Sequence, residues 1–163
     1  MIIYKKIMDF IAMIEKIILA ITSLVIVVIT VGNVFSRYVI HSSWSWTEEL
    51  VVALFVLITF VAGALACRDN ELVSLSLFTD LLPKKSGKLI VFITSIFSLI
   101  FVAILFKYSL DKVITQIENG KRTFVLNWPE WIFWAFVPFG SGCMILHIIE
   151  NFINTISKKD EEV

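Results

Sequence analysis

The sequence predicts an all-α membrane protein with four transmembrane helices and a short amphipathic helix at the interface between the second and third. Three observations carry that expectation. Runs 17–35, 50–67, 89–106 and 131–149 contain no charged side chain, and each is long enough to cross a hydrocarbon layer about 30 Å thick at about 1.5 Å per residue. Of the 163 residues, 58% are hydrophobic and 17% charged, with mean hydropathy +0.90, whereas a soluble domain carries roughly a quarter charged residues. Tryptophans gather at two turns, Trp44 with Trp46 and Trp128 with Trp131 and Trp134, where an indole satisfies both the apolar layer and the headgroups. The chain reads as a single membrane domain over 1–163, with spans at about 17–36, 48–67, 89–107 and 130–150.

Each element has its own warrant. In residues 1–16, Ile3, Ile7, Phe10, Ile11 and Ile14 fall at helical spacing, which extends the first helix backward along the membrane surface. The first run is longer than a signal-peptide core and lacks a small-x-small cleavage site, so it is read as an uncleaved span. The hairpin over 33–50 reads NVFSRYVIHSSWSWTEEL and contains Arg37, Trp44, Trp46, Glu48 and Glu49. In the second span, Ala62 and Ala66, with Gly63 and Ala64 beside them, offer a face for close helix approach.

Segment 72–82 is too short to cross the bilayer. A lone strand there would leave its backbone unpaired in lipid, so the segment is read as an interfacial helix, anchored by Leu75, Phe78 and Leu82 and closed by Pro83. A polar, partly helical connection follows the third span over 107–127, and Pro129 is placed to start the fourth. Pro138, Gly140, Ser141 and Gly142 predict a kink and a tight helix contact in that last span.

Four spans put both termini on one side. That side collects nine basic residues (Lys5, Lys6, Lys16, Arg68, Lys84, Lys85, Lys88, Lys158 and Lys159) against five on the other (Arg37, Lys107, Lys112, Lys121 and Arg122). The positive-inside rule then expects cytoplasmic termini and Trp-rich turns facing outward.

The charged groups of the first hairpin admit three readings. Arg37, Glu48 and Glu49 are ordinary flanking charge, or a buried pair between Arg37 and one glutamate that fixes the hairpin or a partner subunit, or a relay through Glu48. His147, four residues after Cys143, has the spacing of two metal ligands, but His41 is the only other histidine and falls at the opposite face. Both are therefore read as packing residues. Ser141 has no base near it, and P-loop, GxGxxG, CxxC and HExxH patterns are missing, so neither catalysis nor a cofactor is expected. Net charge is zero, which removes the electrostatic basis for nucleic-acid binding. Within the spans the deepest polar groups are hydroxyls, which commonly bond back to their own helix. A helper subunit is favoured over a self-sufficient transporter, which needs polar groups at the midplane.

An arginine ending the first span and W-x-W-T-E-E-L opening the second, in a four-span chain of this length, resemble the small (Q) subunit of a tripartite ATP-independent periplasmic (TRAP) transporter. The resemblance covers essentially the whole chain, including the charged end of the second span and the leucine-rich segment ending in Leu82 and Pro83. Where that family usually has a Gly-His pair, this chain has Asp69, Asn70 and Glu71, so no role for that histidine carries over. The resemblance implies a non-catalytic partner of a large (M) membrane subunit that moves substrate by a sodium-driven elevator motion. It also implies a soluble periplasmic protein that delivers the substrate, typically a carboxylate, with this chain bracing the fixed scaffold in lipid. The rival readings are a membrane-anchor subunit of a respiratory complex that holds quinone or haem, the haem version disfavoured by the shortage of histidines, and a self-assembling four-helix channel or exporter.

Overall fold

A computed structural model of the chain describes residues 2–69 and 84–157, and the side chains of 4–69 and 93–153. Helix α1 (Ile2–Phe35) runs into a π-helical turn (Ser36–Ile40), and α2 (Ser45–Arg68) returns antiparallel to it. Helix α3 (Lys84–Glu118) follows, then a single turn, α4 (Trp131–Trp134), and α5 (Phe136–Ser157). The described residues contain four helices long and apolar enough to cross a membrane. They contain no strand, only one isolated bridge between Arg122 and Pro129. The interfacial helix expected over 72–82, with Leu75, Phe78 and Leu82, lies outside the described residues.

The helices outrun the apolar runs that encode them. Helix α1 takes in the amphipathic N-terminal stretch without a break, and α3 continues past Phe106 to Glu118, absorbing half of the connection expected to be only partly helical. Lys107, Lys112 and Gln116 are good helix formers, and a helix already nucleated in the apolar layer propagates through them. The fourth span breaks where proline demands it. Pro138 has no N–H to offer the Trp134 carbonyl four residues back, and the helix stops after Trp134 and restarts at Phe136. Pro138 then occupies the first turn of α5, where a donor would have no intrahelical partner in any case.

Helices α2 and α5 form the centre of the bundle, with α1 against α2 and α3 against α5. The contact between α2 and α5 is backbone-close. A methyl group added at Gly140 would sit 2.4 Å from Phe60 Cβ and 2.9 Å from the Phe60 carbonyl carbon. One at Gly63 would meet Met144 Cε at 2.4 Å. The buried stripe of α2 is Val61, Ala64 and Cys67, so the close face includes Gly63 and Ala64 while Ala62 and Ala66 stand to its sides. Below the glycines, Cys67, Val102 and Ile148 form a small core, covered by Leu99, Met144 and Ile145. The outer faces of α1 and α3 expose Leu24, Val28, Phe97 and Phe101, a surface suited to lipid or another membrane chain and not to water.

Candidate functional site

Polar side chains gather at the two ends of this bundle. At the hairpin end, three short side chains shape the turn between α1 and α2. The π-helical turn closes with the His41 N–H donating to the Ser36 carbonyl, His41 itself being left-handed at φ 56°. Ser36 Oγ donates to the Ser42 carbonyl at 2.8 Å. Asn33 Oδ1 accepts the Trp44 N–H at 2.9 Å, and Thr47 Oγ1 donates to the Trp44 carbonyl at 2.6 Å. These bonds set Trp44 beside Gly32, and Trp46 stacks on it with centroids 5.8 Å apart.

Glu49 reaches in the other direction. Its Oε1 accepts the Val125 N–H at 3.0 Å and its Oε2 the Leu126 N–H at 3.1 Å. Consecutive amides converging on one anion make a nest, with the charge strengthening each bond. The loop over 121–130 is built to present them. Thr123 N–H donates to the Trp128 carbonyl at 2.9 Å, Trp128 N–H returns to Thr123 Oγ1 at 3.1 Å, and Glu130 N–H donates to the Lys121 carbonyl at 3.0 Å. Asn127 turns the tip at φ 53°, a conformation asparagine tolerates better than most residues. An open cavity of about 990 Å³ lies beneath, walled by Phe60 and Val137 and rimmed by Glu48, Glu49, Lys121 and Arg122.

The pair between Arg37 and a hairpin glutamate, one of the three readings, is not formed among the described residues. Arg37 projects from the π-helical turn with an exposed side chain, Glu49 is committed to the loop amides, and Glu48 is exposed at the cavity rim. Of the five hairpin residues singled out, the structure brings Trp44 to Trp46 and sends Glu49 to a loop far along the chain. It leaves Arg37 and Glu48 facing outward.

The opposite end, which carries the termini, holds a cluster that sequence reasoning missed. His147 is no packing residue: it is fully buried, with Nε2 2.9 Å from Glu15 Oε2 and Nδ1 3.2 Å from Glu150 Oε2. Arg68, the last residue of α2, pairs with Asp9 of α1 and lies 3.8 Å from Glu150. Asn151 Nδ2 donates to the carbonyls of Cys67 and Arg68 at 2.5 and 3.1 Å, which caps carbonyls that the end of α2 leaves without helical donors. Three helices are thus tied together by side chains. The available signal was the pair His147 and Glu150, three apart and so on one helix face. Among the described residues no His, Cys, Asp and Glu group is arranged to hold a metal ion.

The described residues form a four-helix membrane bundle with polar ties at both ends and a stacked tryptophan pair, an architecture suited to a membrane subunit. The chain belongs to the family described as tripartite ATP-independent periplasmic transporters, DctQ component, whose family model matches residues 26–158. It is 27% identical over 150 residues, 92% of this chain and 78% of the relative, to the ectoine TRAP transporter small permease protein TeaB of Halomonas elongata. Over 60 residues, 37% of this chain and 10% of the relative, it is 37% identical to the sialic acid TRAP transporter permease protein SiaT of Haemophilus influenzae. It is therefore a small TRAP permease subunit and a multi-pass inner-membrane protein, not an enzyme. The family implies partnership with a large membrane subunit and a periplasmic binding protein.

Proposed function

We propose that this chain braces the large subunit of a sodium-driven TRAP transporter while that subunit carries a carboxylate, handed over by the periplasmic protein, across the membrane. The observation that supports bracing is the double fastening of the bundle. Glu49 pins the loop over 121–130 to the start of α2, the buried cluster ties α1, α2 and α5, and Gly140 seats α5 on the α2 backbone. A part held at both ends suits a scaffold that stays still while a neighbour moves. The termini lie in the cytoplasm and the hairpin end faces the periplasm, where Arg37 and Glu48, both exposed and unpaired among the described residues, meet the large subunit or the binding protein.

Reconstitution tests the reading. Liposomes with the large subunit and this chain should take up substrate on a sodium gradient when the binding protein is present, and liposomes with either membrane chain alone should not. Uptake by this chain alone would overturn the helper role, and full uptake by the large subunit alone would overturn the bracing role. Arg37→Ala and Glu48→Ala should each lower co-purification with the large subunit while leaving the isolated chain as stable as before. Orientation is read by labelling: a cysteine replacing Ser42 should react from the periplasmic side of cells, and one replacing Asp160 should not.

A further inference from the structure

The contacts of His147 have a hydrogen-bonding consequence that the bracing role does not use. Both ring nitrogens face carboxylate oxygens, Nε2 toward Glu15 at 2.9 Å and Nδ1 toward Glu150 at 3.2 Å. An ionised carboxylate only accepts, and a neutral imidazole offers one N–H and one lone pair. With both glutamates ionised and the ring neutral, one of these contacts would set lone pair against lone pair. Two such contacts need two hydrogens, one more than a neutral ring supplies.

Charge counting points the same way. Glu15 from α1 and Glu150 from α5 face the ring; behind them Arg68 of α2 lies against Glu150 and Asp9, Lys16 lines the same surface recess as Asp9 and Arg68, the Cys143 thiol is against Glu15, and the Tyr4 phenol is in the field of Glu150. Helix α3 contributes no titratable group over 93–99, the described residues at this end. Among the described residues, two buried carboxylates flank the ring, while Arg68 is shared between Glu150 and the exposed Asp9, and unbalanced charge away from water is costly. One added proton lowers that imbalance. Glu15 is 1% exposed, and its Oε1 is buried without a hydrogen-bond partner, which marks a dry site short of hydrogens.

We propose that Glu15, His147 and Glu150 form a proton-binding site, in which one proton beyond those of a neutral imidazole is held between the two carboxylates and hydrogen-bonds α1 to α5. The proton resides on the ring or on a glutamate, and either way both nitrogen–oxygen contacts are bridged by hydrogen. The first and last helices are joined through this site, so occupancy by the proton sets how firmly the terminus end is closed.

The chain has two histidines, so His41→Asn leaves His147 as the only imidazole, and asparagine suits the left-handed backbone at that position. The test is nitrogen-15 histidine spectroscopy of the full-length His41→Asn chain in lipid nanodiscs at neutral pH, together with the infrared band of protonated carboxyl groups. The expected result is either two N–H signals from one ring, or one N–H signal with a carboxylic acid band that disappears in Glu15→Gln or Glu150→Gln. A neutral ring without any such band would overturn the proposal. Glu15→Gln adds a second arm, because its amide can donate an N–H to the ring in place of the bound proton. That variant should unfold at a temperature close to the parent's, with the ring neutral. A ring still carrying two N–H groups in both Glu15→Gln and Glu150→Gln would show that neither carboxylate holds the proton, and would overturn the assignment.

Discussion

At the hairpin end, one carboxylate, Glu49, takes two backbone amides from a loop 76 and 77 residues further along the chain. At the terminus end, carboxylates meet side chains: an imidazole and a guanidinium that themselves belong to helices. The first arrangement fastens a loop and leaves its surroundings partly open to water. The second fastens three helices to each other in a place where its central ring is wholly buried. Charge that is fixed by amides at a wet rim can be lost locally. Charge that is balanced only by other buried charge cannot, because removing one member strands the rest.

That contrast sets the order of expected effects. His147→Ala leaves Glu15 and Glu150 unbridged in a dry site and should cost about 3–5 kcal/mol, the range for breaking a buried charged pair. Thermal unfolding of the purified chain measures it, and a loss no larger than that of a surface substitution would erase the difference between the ends. Gly140→Ala comes next, since its new methyl would press on the Phe60 backbone. Overpacking of that kind costs about 1–3 kcal/mol, and the same unfolding assay should show it lowering both ends together, because α2 and α5 span them.

Glu49→Ala should act locally. Amide exchange at Val125 and Leu126 speeds up while amides around His147 keep their protection, with a smaller fall in unfolding temperature than His147→Ala. Loss of protection at both ends would mean that the two fastenings are one. The smallest effect belongs to Lys112→Ala, which removes an ammonium 5.2 Å from the Trp134 ring centroid. An exposed cation–π contact is worth about 0.5–1 kcal/mol, and Trp fluorescence during unfolding should register that shift without altering either fastening.

The four spans were legible because an uncharged run of bilayer length has few other uses, and the break in the fourth was legible because proline acts through its own backbone. The site was legible only where its partners are near in sequence. Trp44 and Trp46 bracket one turn, and their contact follows from spacing. Glu49 could be marked as unusual, but its partners are main-chain amides of a loop whose side chains carry no hint of them. His147 was dismissed because metal-ligand reasoning looks for another histidine or cysteine. Its true partner, Glu15, is 132 residues away and sits just before the first uncharged run, where an acid reads as ordinary flanking charge. Arg37 shows the reverse: a residue type and position that suggest an internal pair, in a turn whose geometry points it outward.

The turn at Ser36–Ile40 winds wider than the helix leading into it, and the His41 N–H reaches back five residues to the Ser36 carbonyl. Such a turn holds one more residue than an ordinary helical turn. Excising one residue from it would remove the wide winding and change where the chain leaves the helix. Trp44 would leave its seat on Gly32 and its bond to Asn33, although neither residue had changed. Tyr38 and Val39 are exposed, so replacing either should matter little, whereas deleting either should undo the hairpin. At Tyr38 and Val39 it is chain length, not side-chain identity, that the turn encodes.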